Sequence, residues 1–372
     1  MHVVRARIHR VRLPLRQPFV VAYARWDHMP SVLLELETDT GQIGWGEAVP
    51  DETVTGEHAR ATANILEHLL VPVVLGKDAG DIDLVHHRMS AALRGNSAAK
   101  AAVDIALQDL LAQDAGMPLH RLLGGHPSQA PTYPRVISLG EPTAMAESAE
   151  AALAEGYEEI KLKVGAEDVR TDIARIRAVC EALAGRASVR VDVNQHWGTP
   201  AVAVPAIRQL EGLNIRWVEQ PVYMDDVAGL AEVRSATSIP VMADESVHGM
   251  RSLLDIIRQR AADAVNIKLM KTGGIQPALA MIATAQAAGL AVQIGSMVES
   301  SIGSAAGFQV AGARRHVTST ELTGPLLFRR DVGDLAYEPP IVHLPTRAGL
   351  GIRVDHNVID GLREGNLVEV RP

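Results

Sequence analysis

Between residues 133 and 322, short runs of alternating apolar and polar residues recur at nearly even intervals, each followed by a stretch with helical spacing. Eight runs read as strands: Tyr133–Leu139, Glu159–Val164, Val189–Val193, Ile215–Glu219, Val241–Asp244, Ala264–Leu269, Ala291–Ile294 and Val317–Leu322. Side chains on a strand point alternately to opposite faces. In IKLKV, Leu162 and Val164 therefore share one face, and Lys161 and Lys163 the other. In VRVDVN, three valines oppose Arg190, Asp192 and Asn194; in VNIKL, Val265, Ile267 and Leu269 oppose Asn266 and Lys268. Strict alternation of strand and helix predicts an α/β fold, a modified (β/α)8-type, TIM-like barrel. Its apolar strand faces meet the surrounding helices, which sends the polar set into the barrel mouth.

The first third has another rhythm. Residues 2–13, 31–37 and Ile43–Ala48 read as an antiparallel meander, with Asp39-Thr40-Gly41-Gln42 as a turn. From about Glu57 to Gly116 the pattern is helical and includes GNSAAKAAVDIALQDLLAQDAG, which Gly116 caps before Pro118. The chain thus divides into an α+β capping domain (1–125), a barrel domain (126–325) and a segment (326–372) that returns to the capping domain, with GLGIRVD as a strand. Residues 19–29 and 50–56 read as loops closing over the barrel mouth, where Tyr23 and Arg25 would meet the remote part of a substrate.

Composition narrows the class. With 372 residues, 47% hydrophobic and 22% charged, the chain can bury a large core. A net charge of −8 argues against nucleic acid or an anionic membrane as partner. No run is long and apolar enough to span a bilayer, and MHVVRARIHRVRLPL alternates like a strand, so no signal peptide is expected. The single cysteine, Cys180, in the helical stretch Thr171–Ala184, suits a packed role in a reducing compartment, which predicts a cytoplasmic protein.

The ionisable residues keep phase with the repeat. Lys163, Asp192, Glu219, Asp244 and Lys268 follow one another at steps of 29, 27, 25 and 24 residues, about one strand plus one helix each. Such phasing builds one shared site at the carboxyl ends of the strands. Three carboxylates converging alone would repel one another, and a divalent ion relieves this. With oxygen ligands only, Mg²⁺ or Mn²⁺ is expected. Asn194 would orient Asp192 or a bound water. Lys163 and Lys268 lie four strands apart and would face each other across a small-molecule carboxylate substrate. A lysine works as a base only when its pKa is pulled well below the free value, which Lys161 and the metal could do. The arrangement predicts proton abstraction α to a carboxylate, through an enediolate. A Schiff-base aldolase using Lys163 or Lys268 is the reading from a different class. His86 and His87 have no acid at ligand spacing and read as structural, and Gly273 and Gly274 as a turn that could also admit substrate to the backbone.

KxK, DxN, WVEQP, ADES and NIKLMKTGG, with GWGEA, TGE and LLGG earlier in the chain, together resemble the enolase superfamily, specifically its muconate-lactonising subgroup. The resemblance covers nearly the whole chain. It implies Asp192, Glu219 and Asp244 as metal ligands, Lys163 and Lys268 as the acid/base pair, Lys161 on the substrate carboxylate, Glu299 closing the pocket, and a homo-oligomer. NIKLMKTGGI, GSMVES and AVPDETVTGE look like dipeptide epimerases, whereas DVNQHW and TELTGPLLF look closer to muconate cycloisomerases. The epimerases carry a DxD pair for a substrate ammonium after strand eight; here Glu321 and Thr323 stand at those positions. The resemblance implies an epimerase or racemase of a dipeptide or N-substituted amino acid. The alternatives are a muconate-type cycloisomerase and an o-succinylbenzoate synthase-like dehydratase.

Overall fold

The structure is a computed structural model that describes residues 1–126, 131–165 and 168–372. Three strands open the chain: β1 (Val3–Val21), β2 (Ala24–Thr38) and β3 (Ile43–Ala48). Eight follow from the middle onward: β4 (Arg135–Ile137), β5 (Glu159–Lys163), β6 (Ser188–Asp192), β7 (Ile215–Glu219), β8 (Val241–Ala243), β9 (Ala264–Ile267), β10 (Ala291–Ile294) and β11 (Val317–Thr320). They form one parallel sheet in sequential order, curled as a barrel, each strand joined to the next through helix. The eight expected strands are these, with ends that differ by up to two residues. Tyr133 leaves the first because its backbone N–H donates to Pro340 in the C-terminal segment, at 3.1 Å. Among the described residues no ladder joins β11 to β4; Thr320 Oγ1 instead donates to the Thr132 carbonyl at 2.6 Å.

Two packing regimes follow from the alternation. The outward residues Ile160, Leu162, Val189, Val191, Val218, Val265 and Ile267 join the main hydrophobic core. Inside the barrel a separate apolar plug of Trp217, Met242 and Ala264 fills the floor. The buried Arg190 guanidinium lies 5.0 Å from the Trp217 ring centre and donates to Gln293 at 2.9 Å and to the Thr320 carbonyl at 3.0 Å.

The capping sheet has the order β12-β1-β2-β3, where β12 is Val368–Val370. The last segment does return to the capping sheet, but through β12, which pairs Ala6 with Val370 and Ile8 with Val368. GLGIRVD is not a strand: Gly349 and Gly351 have φ of +77° and +79°, outside extended backbone. In GWGEA the glycines let β3 lie on the alanine-rich helix Ser97–Asp114, since a Cβ on Gly46 would sit 1.8 Å from the Ala102 carbonyl oxygen. As expected, that helix ends just before Gly116, at φ +64°. No helix among the described residues is long and apolar enough to cross a membrane.

Residues 19–29, expected as a loop, form the tip of a β-hairpin, with Val21 opposite Ala24, Val20 opposite Arg25 and Phe19 opposite Trp26. The turn at Ala22-Tyr23 carries none of the glycine, asparagine or aspartate that usually marks one. Residues 50–56 do form a loop of turns. Asp51 Oδ1 accepts the Thr53 and Val54 N–H groups at 2.8 and 2.7 Å. Glu57 beyond it caps the helix Ser97–Asp114 by accepting the N–H groups of Ala98 and Ala99 at 2.9 and 3.2 Å.

Candidate active site and metal centre

The ends of β6, β7 and β8 bring Asp192, Glu219 and Asp244 together, fully buried, with ligand oxygens within 4.8 Å of one another. The strand register does this directly: Lys163 pairs with Asp192, and Asp192 with Glu219, on neighbouring strands. Two oxygens of the trio, Glu219 Oε2 and Asp244 Oδ2, are buried and accept no hydrogen bond. They lie 2.9 Å from Lys161 Nζ and 2.8 Å from Lys268 Nζ without hydrogen-bond geometry. Converging and oxygen-only, these acids suit a divalent cation.

Four lysines surround them. Lys163 Nζ donates to Asp192 Oδ2 at 2.6 Å. Lys161 is wholly buried beneath, 2.9 Å from Asp192, 3.0 Å from Glu219 and 2.7 Å from Glu321. Lys271 donates to the Asp244 carboxylate and carbonyl. The sequence reading quoted Lys271 within NIKLMK without a role; its signal was a helical position one turn beyond Lys268. Glu245 and Glu321 add two more carboxyl groups to the cluster.

Electrostatics partition the cluster. Burial penalises every charge here, yet Lys161 and Lys163 hold Asp192 down to about 2. Asp244 is likewise held well below the usual carboxylate range by Lys268, Lys271 and Lys161. Glu219 goes the other way, because burial and then the neighbouring Asp192 raise it well above that range. Burial pulls Lys268 down, but Asp244, Glu321 and Glu245 outweigh it and hold its ammonium above the free value. Lys161 is held well above as well, by Asp192, Glu219 and Glu321 against burial. Lys161 does push the Lys268 ammonium down, as expected, but the surrounding acids outweigh it.

Backbone and amide groups aim the acids. Asn194, in the left-handed region at φ 44°, donates its N–H to Asp192 Oδ1 at 3.0 Å, as expected of an orienting group. Its side chain instead donates to Glu245 at 2.9 Å. Burial and the charge on Asp244 push Glu245 up to about 7. Gln220, also left-handed at φ 40°, accepts the Asp244 N–H at 3.0 Å, and Asn266 donates to Glu219 at 2.9 Å. Gln220, Glu245 and Asn266 received no role from the sequence, although each lies within two residues of one that did.

A cavity of ≈50 Å³ opens above these groups, lined by Lys163, Lys268, Asn194, Glu245, Glu321 and Thr323. Its roof is Phe19, Val21, Tyr23, Trp26, Met29, Asp51 and Val54 from the cap. Three expected substrate-facing residues lie elsewhere. Lys161 does not reach the cavity, being enclosed by its acids. Arg25 points outward, with its side chain 62% exposed beside Asp27. In a two-residue period the inward positions of the hairpin are Tyr23 and, across from Phe19, Trp26. Glu299 folds its carboxylate back onto the Met297 N–H at 2.9 Å and the Ser296 hydroxyl, leaving Ser296, Met297 and Val298 as the wall. Gly274 serves the cap and not the cavity: a Cβ there would meet Asp104 at 2.4 Å. His86 does find an acid, Asp104 at 2.6 Å, through a tertiary contact that spacing could not reveal.

Residues 3–124 match the mandelate racemase/muconate lactonizing enzyme N-terminal domain, and residues 144–358 match the enolase C-terminal domain-like family. The chain belongs to this family of barrel enzymes with a capping domain. It is 42% identical to the N-succinyl-L-Arg/Lys racemase of Bacillus cereus over 362 residues, 97% of this chain and 98% of the relative. The crystal structure of that racemase superposes with a TM-score of 0.97, covering 100% of both chains. The L-Ala-D/L-Glu epimerase of Bacillus subtilis is 39% identical over 95% of this chain and 97% of its own. A chloromuconate cycloisomerase of Cupriavidus pinatubonensis is 32% identical over 94% and 95%. These relatives are isomerases, and the protein is an enzyme of that class.

Proposed function

We propose that the protein racemises or epimerises an N-acylated amino acid by proton exchange at the α-carbon, with Mg²⁺ as cofactor. The observation that carries this reading is the pair of lysines lining one cavity beside three acids, with Glu321 already engaged by Lys161. A bound dication would take charge from Asp192, Glu219 and Asp244, ease their hold on the lysines and stabilise the developing enediolate. Lys163 and Lys268 act on opposite faces of the α-carbon, one removing the proton and the other returning it.

The substrate's nitrogen distinguishes the options. A free ammonium needs unshared carboxylates, but Glu321 is bound by Lys161 and Gln293, and Thr323 is neutral. An acyl nitrogen carries no such demand. The cavity lining holds no arginine for an acidic side chain, and Asp51 and Tyr23 line its cap end, favouring a polar or cationic one. The ≈50 Å³ beside the lysines has room for roughly four water molecules. A neighbouring cavity of ≈410 Å³ shares the walls Phe19, Val136, Thr323 and Leu327 and can take the N-substituent. Arg16 and Arg135 line it, which suits an acyl chain ending in a carboxylate.

The test is solvent-deuterium exchange with Mg²⁺ over N-succinyl-L-arginine, N-acetyl-L-arginine, L-alanyl-L-glutamate and cis,cis-muconate. Exchange with inversion of the first is expected. Lactone formation from muconate, with all three amino-acid compounds left unexchanged, would overturn the reading. The single partly buried cysteine fits a cytoplasmic setting, and a homo-oligomer is expected from the family resemblance, to be checked by light scattering.

A further inference from the structure

Val298 is a β-branched residue at φ +66°, in the left-handed region that such side chains avoid. It lies in the loop after β10, and with Ser296 and Met297 it lines the catalytic cavity. Strain of this kind persists only where the surroundings over-determine it, and it gathers at functional sites. Two clamps hold the loop. Within it, Ser296 Oγ accepts the Val298 N–H at 2.8 Å and Glu299 accepts the Met297 N–H. The second clamp crosses from the cap. Glu47, at the end of β3 and wholly buried, accepts the Ser300 N–H at 3.0 Å, the Ser300 hydroxyl at 2.7 Å and the Gly303 N–H at 2.8 Å. Ser31 of β2 donates to it as well, at 2.8 Å.

Each partner of Glu47 has a proton to give it, two backbone N–H groups and two hydroxyls. Space is tight as well: a Cβ on Gly303 would stand 2.7 Å from Glu299 and 3.0 Å from Glu47. The cap thus reaches past the cavity to the start of the barrel helix Ser301–Ala313 and fixes where the strained loop begins.

We propose that Glu47 is a positioning residue: it anchors Ser300 and Gly303 so that residues 296–298 keep the strained conformation that forms the substrate-facing wall. Glu47 touches no reacting atom, and its effect passes through Val298. Replacing Val298 by glycine, which adopts positive φ without strain, should make the clamp largely dispensable.

The experiment is a double-mutant cycle of Glu47→Gln and Val298→Gly. It is read first by backbone hydrogen–deuterium exchange of residues 296–303, which needs no substrate. Glu47→Gln should speed exchange there by about tenfold while leaving residues 159–163 unchanged, and the same change on Val298→Gly should do so by less than about threefold. The second readout is kcat and KM for α-proton exchange of N-succinyl-L-arginine. Glu47→Gln should raise KM more than it lowers kcat, and cost less in the Val298→Gly background. Equal effects in both backgrounds, or unchanged loop protection in Glu47→Gln, would overturn the proposal. If Glu47→Gln does not fold, Ser300→Ala, which removes one donor, should give the same pattern at smaller size, and its absence is equally decisive. Should muconate be lactonised while none of the three amino-acid compounds exchanges, the functional reading fails while the loop measurement still decides this one.

Discussion

The floor and the roof of the cavity are built by opposite means. On the floor, strand ends deliver each ionisable group at a fixed register, and each is tied by several charged partners: Asp244 by Lys268 and Lys271, Lys161 by three acids. The roof is a hairpin tip and a turn, held by aromatic contacts such as Tyr23 edge-on to Trp26 with ring centres 5.8 Å apart. A change in the floor unbalances a charge cluster, while most changes in the roof, Asp51 aside, alter shape. On the proposed function, reaction and selectivity would reside in parts that can vary separately.

The sharpest break in this comparison is removal of the cation. Chelation should abolish α-proton exchange, and Mg²⁺ should restore it. Mg²⁺ at about a hundred times its Kd should add about 2.7 kcal/mol of stability, seen as a rise in Tm. Glu219→Gln should lose that rise. Next in size, Lys163→Ala or Lys268→Ala should each lower racemisation by about 10³-fold, measured by polarimetry, with folding retained by circular dichroism. Roof changes should be milder. Trp26→Ala should cost about tenfold in kcat/KM, mostly through KM, and shift preference among N-acyl amino acids. An equal loss for every substrate would erase the distinction between roof and floor.

A smaller effect tests how the roof is suspended. Asp109 is buried and accepts the Trp45 and Leu350 N–H groups at 3.0 and 2.7 Å, joining β3 and the C-terminal segment to the cap helix. Burial raises its carboxyl from 3.8 to about 6. A raised acid stabilises the fold fully below its unfolded pKa and loses that contribution as pH rises through the folded value. Between pH 4 and 6 the wild type should thus lose roughly 2–3 kcal/mol relative to Asp109→Asn, measured by urea unfolding at each pH. Smallest of all, Arg25→Ala should change kcat/KM by less than about twofold, because its side chain faces solvent.

How much could be read in advance followed the same division. Alternation along IKLKV, VRVDVN and VNIKL placed the floor residues correctly, because a strand's two-residue period leaves no freedom once one face is apolar. The hairpin obeys the same period, yet its turn lacks the usual residues. It was read as a loop, and Arg25 was taken inward where parity favours Trp26. Lys161 and Glu299 looked like substrate contacts from their motifs; only tertiary packing turns them to carboxylates and to backbone. His86 with Asp104, and Glu47 with Ser300, join residues 18 and 253 positions apart, and no local pattern encodes such pairs.

The edge pairing of Val368–Val370 with Ala6–Ile8 has a consequence for assembly. During synthesis the first sheet must wait, one flank open, until all eight barrel strands have left the ribosome. The β1 edge of the capping sheet therefore has no β12 partner until the chain is nearly complete.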